Sequence, residues 1–276
     1  MQRERIADDI YVFVSDRYVQ VTATVILTSD GAVLFDTLLY PDETRQIKRF
    51  VEGRLGSAVR YVINSHFHAD HSAGTCFFQG AQVIAHSRCA TLLDQRGRIS
   101  LEQAKAATDE MRDVQLVLPD ITFDDHFTLH IGNKSLEFQS MPGHSSDSIV
   151  CLVKEDRVLL SADTVLPLPH FVDGSYEELV RSLESLRGGN YEHIVQGHGD
   201  IVLRGEIEEK LRSDLSYLRR TFDAVNDALT SRTPDIALSA IDIEDCGKSR
   251  ILLNGAAGAL HRQNVRALAN RRATEA

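Results

Sequence analysis

The stretch Asn64-Ser65-His66-Phe67-His68-Ala69-Asp70-His71-Ser72-Ala73-Gly74 places three imidazoles and one carboxylate within six residues. The apolar run Val59-Arg60-Tyr61-Val62-Ile63 precedes it and has the composition of a buried β-strand. Histidine and aspartate are common ligands of divalent metal ions, and a strand that ends in a loop would present them together. A core histidine is usually single, and solvated loop histidines need no buried strand before them. The stretch therefore predicts a metal site at a strand end.

Three more potential ligands follow short apolar segments farther along the chain. They are His144 in Pro142-Gly143-His144-Ser145, Asp163 in Leu160-Ser161-Ala162-Asp163-Thr164 and His198 in Gln196-Gly197-His198-Gly199. Each is predicted to follow the end of a strand, as the first cluster does. Seven nitrogen and oxygen donors arranged in this way can hold two divalent ions that share one carboxylate.

These motifs resemble the signature of the metallo-β-lactamase superfamily, which is H-x-H-x-D-H followed by a distant His, Asp and His. The resemblance extends from the first predicted strand to Gly199 and implies an α/β fold, namely a four-layer αββα sandwich. It also implies two divalent metal ions, with zinc expected and iron or manganese as alternatives. In that arrangement the first metal would be held by His66, His68 and His144, the second by Asp70, His71 and His198, and Asp163 would bridge them.

Composition limits the class of partner. The chain has 276 residues, 43% of them hydrophobic and 25% charged, which is ordinary for a globular protein with a substantial core. Its net charge of −10 would repel a nucleic acid, so we expect a small-molecule substrate and no nucleic-acid partner. No run approaches the roughly 18 apolar residues of a membrane span, and the N-terminus lacks an apolar signal core. Four scattered cysteines without C-x-x-C spacing favour reduced thiols, so we predict a cytoplasmic location and no membrane partner.

Between the motifs the sequence alternates predicted strands and helices. Turn sequences separate three predicted strands over residues 10–36, and helical spacing predicts a helix over residues 42–55. Ser100-Leu101-Glu102-Gln103 matches a capping box and predicts a helix over residues 100–112. That segment is either a lid over the site or a surface connection. Ser175-Tyr176-Glu177-Glu178 predicts another helix start in the same way.

The chain beyond Gly205 changes character. We predict a sandwich domain over residues 1–204 and a C-terminal helical extension over residues 205–276. Residues 206–229 are strongly charged but carry an apolar stripe with helical spacing. The extension is too short for a core of its own, so it is expected to pack on the sandwich or on a partner subunit. The second arrangement would be a homodimer through the C-terminal helices.

Several residues outside the seven predicted ligands allow more than one interpretation. Asp36, at the end of the third predicted strand, either supports a metal ligand or caps the strand. The stiff apolar loop Leu166-Pro167-Leu168-Pro169-His170-Phe171 is a candidate wall of a substrate pocket. The weaker candidates to line that pocket are His170, His261, Gln263 and Asn264.

The predicted ligand set determines the expected chemistry. Two divalent ions bridged by a carboxylate can lower the pKa of a bound water to around neutrality and polarise the carbonyl under attack. We therefore predict a hydrolase in which a metal-bound hydroxide cleaves an ester-like bond of a lactone, a thioester or a related small carbonyl compound. Asp70 is the candidate catalytic residue, because besides binding metal it could orient the nucleophile and pass a proton to the leaving group.

Departures from the better-known branches leave a broad family hydrolase, which we expect to be most similar to the glyoxalase II or lactonase-like branch. Asp163 points away from dedicated β-lactamases, and His68 argues against flavodiiron oxidoreductases. Leu166 stands where homoserine-lactone lactonases tend to carry a tyrosine, and a basic glutathione-binding signature is not found near the C-terminus. The main alternative is an iron-dependent dioxygenase of the same superfamily. A catalytically silent sensor is a third hypothesis.

Overall fold

Two β-sheets packed face to face form the centre of the computed structural model, which describes residues 1–275 and the side chains of residues 1–271. Within these residues the strands of the first sheet are, in spatial order, β1 (Gln2–Ala7), β2 (Ile10–Val14), β3 (Thr22–Thr28), β4 (Gly31–Phe35), β5 (Val59–Ile63), β6 (Gln82–His86) and β7 (Ile121–Phe123). Those of the second sheet are β8 (His126–Ile131), β9 (Lys134–Ser140), β10 (Ile149–Val153), β11 (Val158–Ala162), β12 (His193–Gln196) and β13 (Val202–Leu203).

Helices cover the outer faces of both sheets. In chain order they are α1 (Pro41–Lys48), α2 (Ala69–Ser72), α3 (Ser87–Leu92), α4 (Arg98–Ala107), α5 (Tyr176–Leu186), α6 (Ile207–Leu229), α7 (Pro234–Ser239) and α8 (Ala257–Glu275). The π-helical segment Arg49–Arg54 extends α1, and a second one, Leu93–Gly97, joins α3 to α4. None of the helices in the described part of the chain combines the length and the apolar character that crossing a membrane requires.

The first sheet changes from antiparallel to parallel pairing halfway across. Strands β1 to β4 form an antiparallel meander, whereas β4, β5, β6 and β7 pair in parallel. Because parallel strands end at the same edge, the segments that follow β4 and β5 leave the sheet side by side. Strand β1 was not among the predicted strands, since Gln2-Arg3-Glu4-Arg5 lacks apolar alternation; it is an exposed edge strand, where charged side chains are tolerated.

Alternation along the strands places one core between the sheets and one on each outer face. Val33 of β4 packs in the same cluster as Phe138 of β9 and Cys151 of β10, between the two sheets. Its neighbour Leu34 points the other way and packs with Ile47 of α1. Residues one apart in a strand face opposite sides, so this pattern buries both faces of the sheet. The predicted four-layer αββα sandwich of the α/β class is confirmed.

The C-terminal helices pack on the outer face of the second sheet. One apolar cluster contains Leu159 of β11, Leu183 of α5, Leu218 of α6 and Leu268 of α8. The apolar stripe of α6 is therefore buried within this chain. The domain boundary at residues 204 and 205 and the homodimer stay predictions, and the end of the predicted extension at residue 276 lies outside the described residues.

The segment that follows α3 starts its next helix earlier than the sequence predicts. Helix α4 begins at Arg98, so Ser100 lies inside it and the predicted capping box there is wrong. The π-helical segment Leu93–Gly97 runs directly into α4 and supplies carbonyl partners for its first N–H groups, so no side-chain cap is needed. At α5 the prediction is confirmed, because the Ser175 hydroxyl accepts a hydrogen bond from the Glu178 N–H.

We call residues 87–117 the arm.

Candidate metal centre

Strand ends from both sheets meet at one edge of the sandwich. The chain leaves β5, β9, β11 and β12 there, and the Thr22 N–H at the start of β3 donates to the Gly197 carbonyl, which ties the first sheet to the second. This edge collects the seven predicted ligands, although they are spread over more than 130 positions of the chain. We call them the donor cluster: His66, His68, Asp70, His71, His144, Asp163 and His198.

Four members of the donor cluster form a first group. The potential ligand atoms of His66, His68, His144 and Asp163 all lie within 4.8 Å of one another. His68 Nδ1 is 2.9 Å from His66 Nε2 and 3.0 Å from His144 Nε2. Three imidazole nitrogens that face one another at this spacing can each offer a lone pair to the same cation.

The other three members form a second group beside the first. His198 Nε2 is 3.3 Å from Asp70 Oδ2, and His71 Nε2 is 3.6 Å from the same oxygen. Asp70 and His71 lie on α2, immediately after the loop that carries His68. The short helix therefore turns two consecutive side chains toward a different group from the one that contains His66 and His68.

Asp163 lies between the two groups. Its Oδ2 is 3.2 Å from His144 Nε2 in the first group. Its Oδ1 is 3.2 Å from His71 Nε2 and 3.6 Å from His198 Nε2 in the second. One oxygen thus faces each group, which is the placement that a carboxylate shared by two cations requires.

Each imidazole of the donor cluster has its outer nitrogen held by another protein group. Such contacts place the N–H on the outer nitrogen and leave the lone pair of the inner nitrogen directed at the cluster. The pairs, all 2.8 or 2.9 Å long, are His66 Nδ1 with Ser65 Oγ, His68 Nε2 with Asp173 Oδ2, His71 Nδ1 with Asp36 Oδ2, His144 Nδ1 with the His170 carbonyl, and His198 Nδ1 with the Val19 carbonyl.

Asp36 supports two of these imidazoles at once. Its carboxylate accepts hydrogen bonds from His71 Nδ1 and from the N–H and hydroxyl of Ser65, and Ser65 in turn contacts His66. Burial raises the pKa of Asp36, while the contacts with His71 and Ser65 oppose that rise. Of the two interpretations left open by the sequence, the contacts support a group that orients metal-ligand candidates.

The two carboxylates of the donor cluster stabilise positive charge beside them. Burial, together with neighbouring imidazoles, lowers the pKa of His66 well below its usual value and that of His144 to about 3, so both rings are neutral. Burial would also lower the pKa of His71, but Asp163 and Asp70 raise it. Conversely, burial would raise the pKa of Asp163, but His71 and His198 lower it well below its usual range. The buried carboxylates therefore draw positive charge toward this edge.

Two atoms in the middle of the donor cluster lack a hydrogen-bond partner. His71 Nε2 and Asp163 Oδ1 are buried and 3.2 Å apart, yet neither makes a hydrogen bond. A buried polar atom without a partner is unfavourable, and a cation held by both atoms would satisfy them. Five imidazoles and two carboxylates are a donor set that suits zinc and also accommodates iron or manganese. The residues present thus fit divalent metal ions.

Gly197 allows the segments that follow β11 and β12 to approach each other closely. A Cβ atom on Gly197 would lie 1.9 Å from Asp163 Oδ1, which no side chain could tolerate without displacing the carboxylate. On the other side of His198, Gly199 has φ +81°, a conformation that favours glycine. Both glycines are therefore needed to bring His198 next to Asp163.

A cavity of about 400 Å³ opens over the donor cluster. Tyr18 lines it from the loop before β3, Leu166 and His170 from the predicted apolar loop, and Gln263 from α8. His170 Nε2 and Gln263 Oε1 lie 3.0 Å apart and join the loop to the helix. The loop is a wall of this cavity, as predicted, and His170 and Gln263 are both among its lining residues.

His261 and Asn264 do not line the cavity, so these two candidates were wrong. His261 accepts a hydrogen bond from the Tyr217 hydroxyl and donates to the Ile241 carbonyl. Asn264 donates to the Tyr217 hydroxyl and to the Pro169 carbonyl. Successive residues of a helix point about 100° apart, so one face of α8 presents Gln263 to the cavity and another buries these two side chains against α6.

Three residues at the site were missed by the sequence analysis. Asp173 contacts His68 and also accepts a hydrogen bond from Arg96 of the arm at 2.7 Å, and these two contacts hold the pKa of Asp173 below its usual range. Tyr18 lies close enough to Asp70 that this carboxylate and burial raise the pKa of Tyr18 to about 12. Asp173 and Tyr18 lie in irregular segments and Arg96 in the π-helical segment Leu93–Gly97, and none of the three has a motif around it that would have identified it.

Comparison with known proteins finds one superfamily. A family model described as "Metallo-beta-lactamase superfamily" matches residues 16–198. A metallo-beta-lactamase type 2 of Bacillus cereus is 28% identical over 189 residues, which are 66% of this chain and 68% of that protein.

Shorter matches include enzymes with other names. An acyl-coenzyme A thioesterase of Bos taurus is 27% identical over 158 residues, covering 50% of this chain and 55% of that protein. A hydroxyacylglutathione hydrolase of Methylococcus capsulatus is 27% identical over 134 residues, covering 48% and 44%. A solved structure of a double mutant of the sec-alkyl sulfatase PisA1 superposes with a TM-score of 0.76 at 17% identity, over 98% of this chain and 50% of that one. This last likeness supports the fold alone, including the C-terminal helices.

Proposed function

Because this chain belongs to the metallo-beta-lactamase superfamily and is a metal-dependent hydrolase, we propose that it uses two divalent metal ions, in the first place zinc, to cleave an ester-like bond. The observation that carries the proposal is the placement of Asp163, which directs one carboxylate oxygen at each group of the donor cluster. A single ion bound by the first group would leave the three donors of the second group without a ligand.

The ligand assignment follows the two groups. His66, His68 and His144 would hold the first ion, and Asp70, His71 and His198 the second. Asp163 would be shared between them. When bound, the two ions would supply a coordinated water of lowered pKa and polarise the carbonyl of the substrate.

Asp70 is the residue that we propose to move a proton. Although burial would raise its pKa, His71 and His198 hold the pKa of Asp70 below its usual range, so the carboxylate is ionised at neutral pH. Asp70 also lines the cavity above the donor cluster. An ionised carboxylate at this place can accept a proton from the attacking water and pass it to the leaving group.

Tyr18 faces the same cavity from the loop between β2 and β3. Because its pKa is raised to about 12, the hydroxyl keeps its proton over the whole physiological range. We propose that it donates a hydrogen bond to a substrate oxygen, in the manner of other donors directed at developing charge. Leu166, which lines another wall of the cavity, has an apolar side chain and cannot donate such a hydrogen bond.

The substrate class is a lactone, a thioester or a related small carbonyl compound. A matched thioesterase and a matched hydroxyacylglutathione hydrolase support a thioester by their names, whereas the Bacillus cereus match is named as a β-lactamase. Asp163 is the residue that favours this class over β-lactams. The glyoxalase II or lactonase-like branch stays a prediction. The net charge of −10 supports a small-molecule substrate rather than nucleic acid, and we propose a cytoplasmic location without a membrane partner.

The test combines metal counting with a substrate panel. Protein purified without added metal, and the same protein loaded with zinc, would be assayed against lactones, thioesters, β-lactams and phosphodiesters. We expect two ions per chain and hydrolysis of a lactone or thioester. One iron per chain together with oxygen uptake would overturn the proposal in favour of a dioxygenase. His68→Ala should abolish hydrolysis, whereas His126→Ala, which changes an exposed histidine on β8, serves as the matched control and should have no effect.

A further inference from the structure

The arm leaves an apolar cavity beside the donor cluster. This arm cavity has a volume of about 250 Å³ and lies between α4, the segment after it and the loop that carries Phe67. Leu93, Met111 and Val114 contribute almost fully buried side chains to its wall. The space is partly open to solvent, so it is a recess that a ligand can enter and not a void inside the core.

Helix α4 borders this space instead of packing on a core. None of its residues is fully buried, although Leu101 and Ala104 are half-buried and face the cavity. Apolar cavities of about 150 Å³ stay dry and take up apolar ligands. The apolar side of α4, which carries Leu101 and Ala104, therefore faces the cavity and is suited to contact an apolar ligand.

The charged groups of the arm cavity are confined to one end and satisfy each other. Arg96 donates to Asp173, and its guanidinium lies 4.7 Å from the centre of the Phe67 ring. Asp173 also contacts His68. No other Lys, Arg, Asp or Glu is among the lining residues, within the described part of the chain. Apart from His68, the other polar side chains of the lining, Ser72, Ser100 and Gln115, are uncharged, so the wall favours a neutral and mostly apolar part of a ligand.

The arm cavity lies next to the cavity over the donor cluster. Leu39, His68 and Ala69 line both spaces. A molecule whose reacting carbonyl sits at the donor cluster could therefore extend an apolar tail past His68 into the space under α4. The Arg96–Asp173 pair would stand where the polar head of such a molecule ends and its tail begins.

From this arrangement we propose that the arm cavity binds the acyl chain of the substrate, so that the substrate is an acyl thioester or ester with a chain of medium length. This inference rests on the proposed hydrolytic function. At about 30 Å³ for a water-sized group, the volume corresponds to about eight such groups, which suits a chain of about six to ten carbons. Each methylene that enters should raise kcat/KM by roughly fourfold until the space is full.

The experiment uses zinc-loaded full-length protein and a series of N-acetylcysteamine thioesters from acetyl to decanoyl. We expect kcat/KM to rise along the series and to level off near octanoyl or decanoyl. Ala104→Phe would fill the cavity and should lower the octanoyl-to-acetyl ratio of kcat/KM by at least about tenfold. Ala106→Phe adds the same side chain at an exposed position of α4 and should keep the wild-type ratio. Should Ala104→Phe lower the melting temperature markedly, Leu101→Asn tests the same wall by adding a polar group.

The outcomes separate the inference from the proposed function. The inference would be overturned if kcat/KM did not change with acyl-chain length, or if the octanoyl-to-acetyl ratio fell equally in both phenylalanine variants. The proposed hydrolysis would stand in either case. If no thioester or ester is cleaved, the proposed function fails, and the cavity is tested by binding. The neutral fluorescent probe N-phenyl-1-naphthylamine should then bind metal-free protein and be displaced by 1-octanol in wild type and Ala106→Phe, but not bind Ala104→Phe. Absence of binding to wild type would overturn the inference, and the absence of tryptophan from the chain keeps the background low.

Discussion

The donor cluster can be compared with a second buried polar cluster, which lies among the C-terminal helices. We call the second one the helical network, and it consists of two hydrogen-bonded sets that both donate to the apolar loop, namely Lys210, Asp214 and Lys248, and Tyr217, His261 and Asn264. Both clusters contain carboxylate and imidazole groups inside the protein. They differ in whether the protein itself supplies all the partners.

In the helical network every buried side-chain atom has a partner among the described residues. Asp214 is fully buried and accepts from Lys210 and, at 2.7 Å, from Lys248. Lys210 also donates to the Leu166 carbonyl, which fastens one end of the loop that walls the cavity over the donor cluster. This cluster is complete, and its role is to position that loop.

The donor cluster has the opposite property. His71 Nε2 and Asp163 Oδ1 make no hydrogen bond, and the carboxylates in its centre face imidazoles rather than lysine or arginine. A buried polar cluster that the chain leaves incomplete is stable only if something from outside completes it. The comparison therefore teaches that burial and polarity do not by themselves mark a metal site, and that the two clusters differ in the two central atoms that lack a hydrogen-bond partner.

We expect the largest effect from a substitution at the centre of the donor cluster. Asp163→Ala removes the carboxylate that faces both groups, so hydrolysis should fall at least about a thousandfold, equivalent to about 4 kcal/mol of transition-state stabilisation. Metal content should fall below two ions per chain, and the rise in melting temperature on adding zinc to metal-free protein should shrink. Circular dichroism is expected to remain that of the wild type. Full activity in this variant would remove Asp163 from the mechanism.

The matching change in the helical network should affect stability instead of chemistry. Asp214→Ala leaves the charges of Lys210 and Lys248 without their buried partner, which should lower the free energy of unfolding by about 3–5 kcal/mol. Metal content per folded chain should not change. Asp227→Ala, at an exposed position of α6, is the control and should stay within about 0.5 kcal/mol of wild type in urea denaturation. Loss of metal from folded Asp214→Ala protein would contradict the distinction between the clusters.

A smaller effect is expected where the donor cluster meets its supporting residues. Asp173→Asn keeps the shape of the side chain that holds His68 Nε2 but removes its charge, so metal affinity or kcat should fall about 10- to 100-fold. Arg96→Gln leaves the contact between Asp173 and His68 in place and should cost less. Competition with a chelator measures the affinity of each variant. An equal loss in both variants would argue that the pair acts through the arm rather than through His68.

The smallest effect concerns the pH dependence of the helical network. Burial lowers the pKa of Lys210 from its usual 10.5 to about 8, so between these values the unfolded chain binds more protons than the folded one. The stability contributed by this site should therefore rise with pH, by about 1 kcal/mol between pH 7 and pH 9. Lys210→Met should lack this rise, and the difference between wild type and variant in urea denaturation isolates it. A difference that stays constant or falls with pH would contradict the assignment.

Prediction from the sequence worked where a short motif follows a strand. The segments that follow the predicted strands bring all seven predicted ligands to one edge. Prediction from the sequence failed where the start of a helix or the pairing of a strand depends on residues outside the local pattern. Ser100 looked like a helix cap because the π-helical segment before it leaves no clear signal, and β1 was missed because its pairing with β2 does not depend on an apolar face.

The sequence by itself determined the fold class, the donor types and their order, because strand periodicity and ligand identity are local properties. Only the tertiary structure decided which oxygen of Asp163 faces which group, that Asp173 holds His68 from 105 positions away, and that Gln263 but not His261 reaches the cavity. The physical reason is that orientation, charge and empty space at a site arise from side chains that meet only when the two sheets, the arm and the C-terminal helices pack together. The separation of these side chains along the sequence does not indicate that they are in contact.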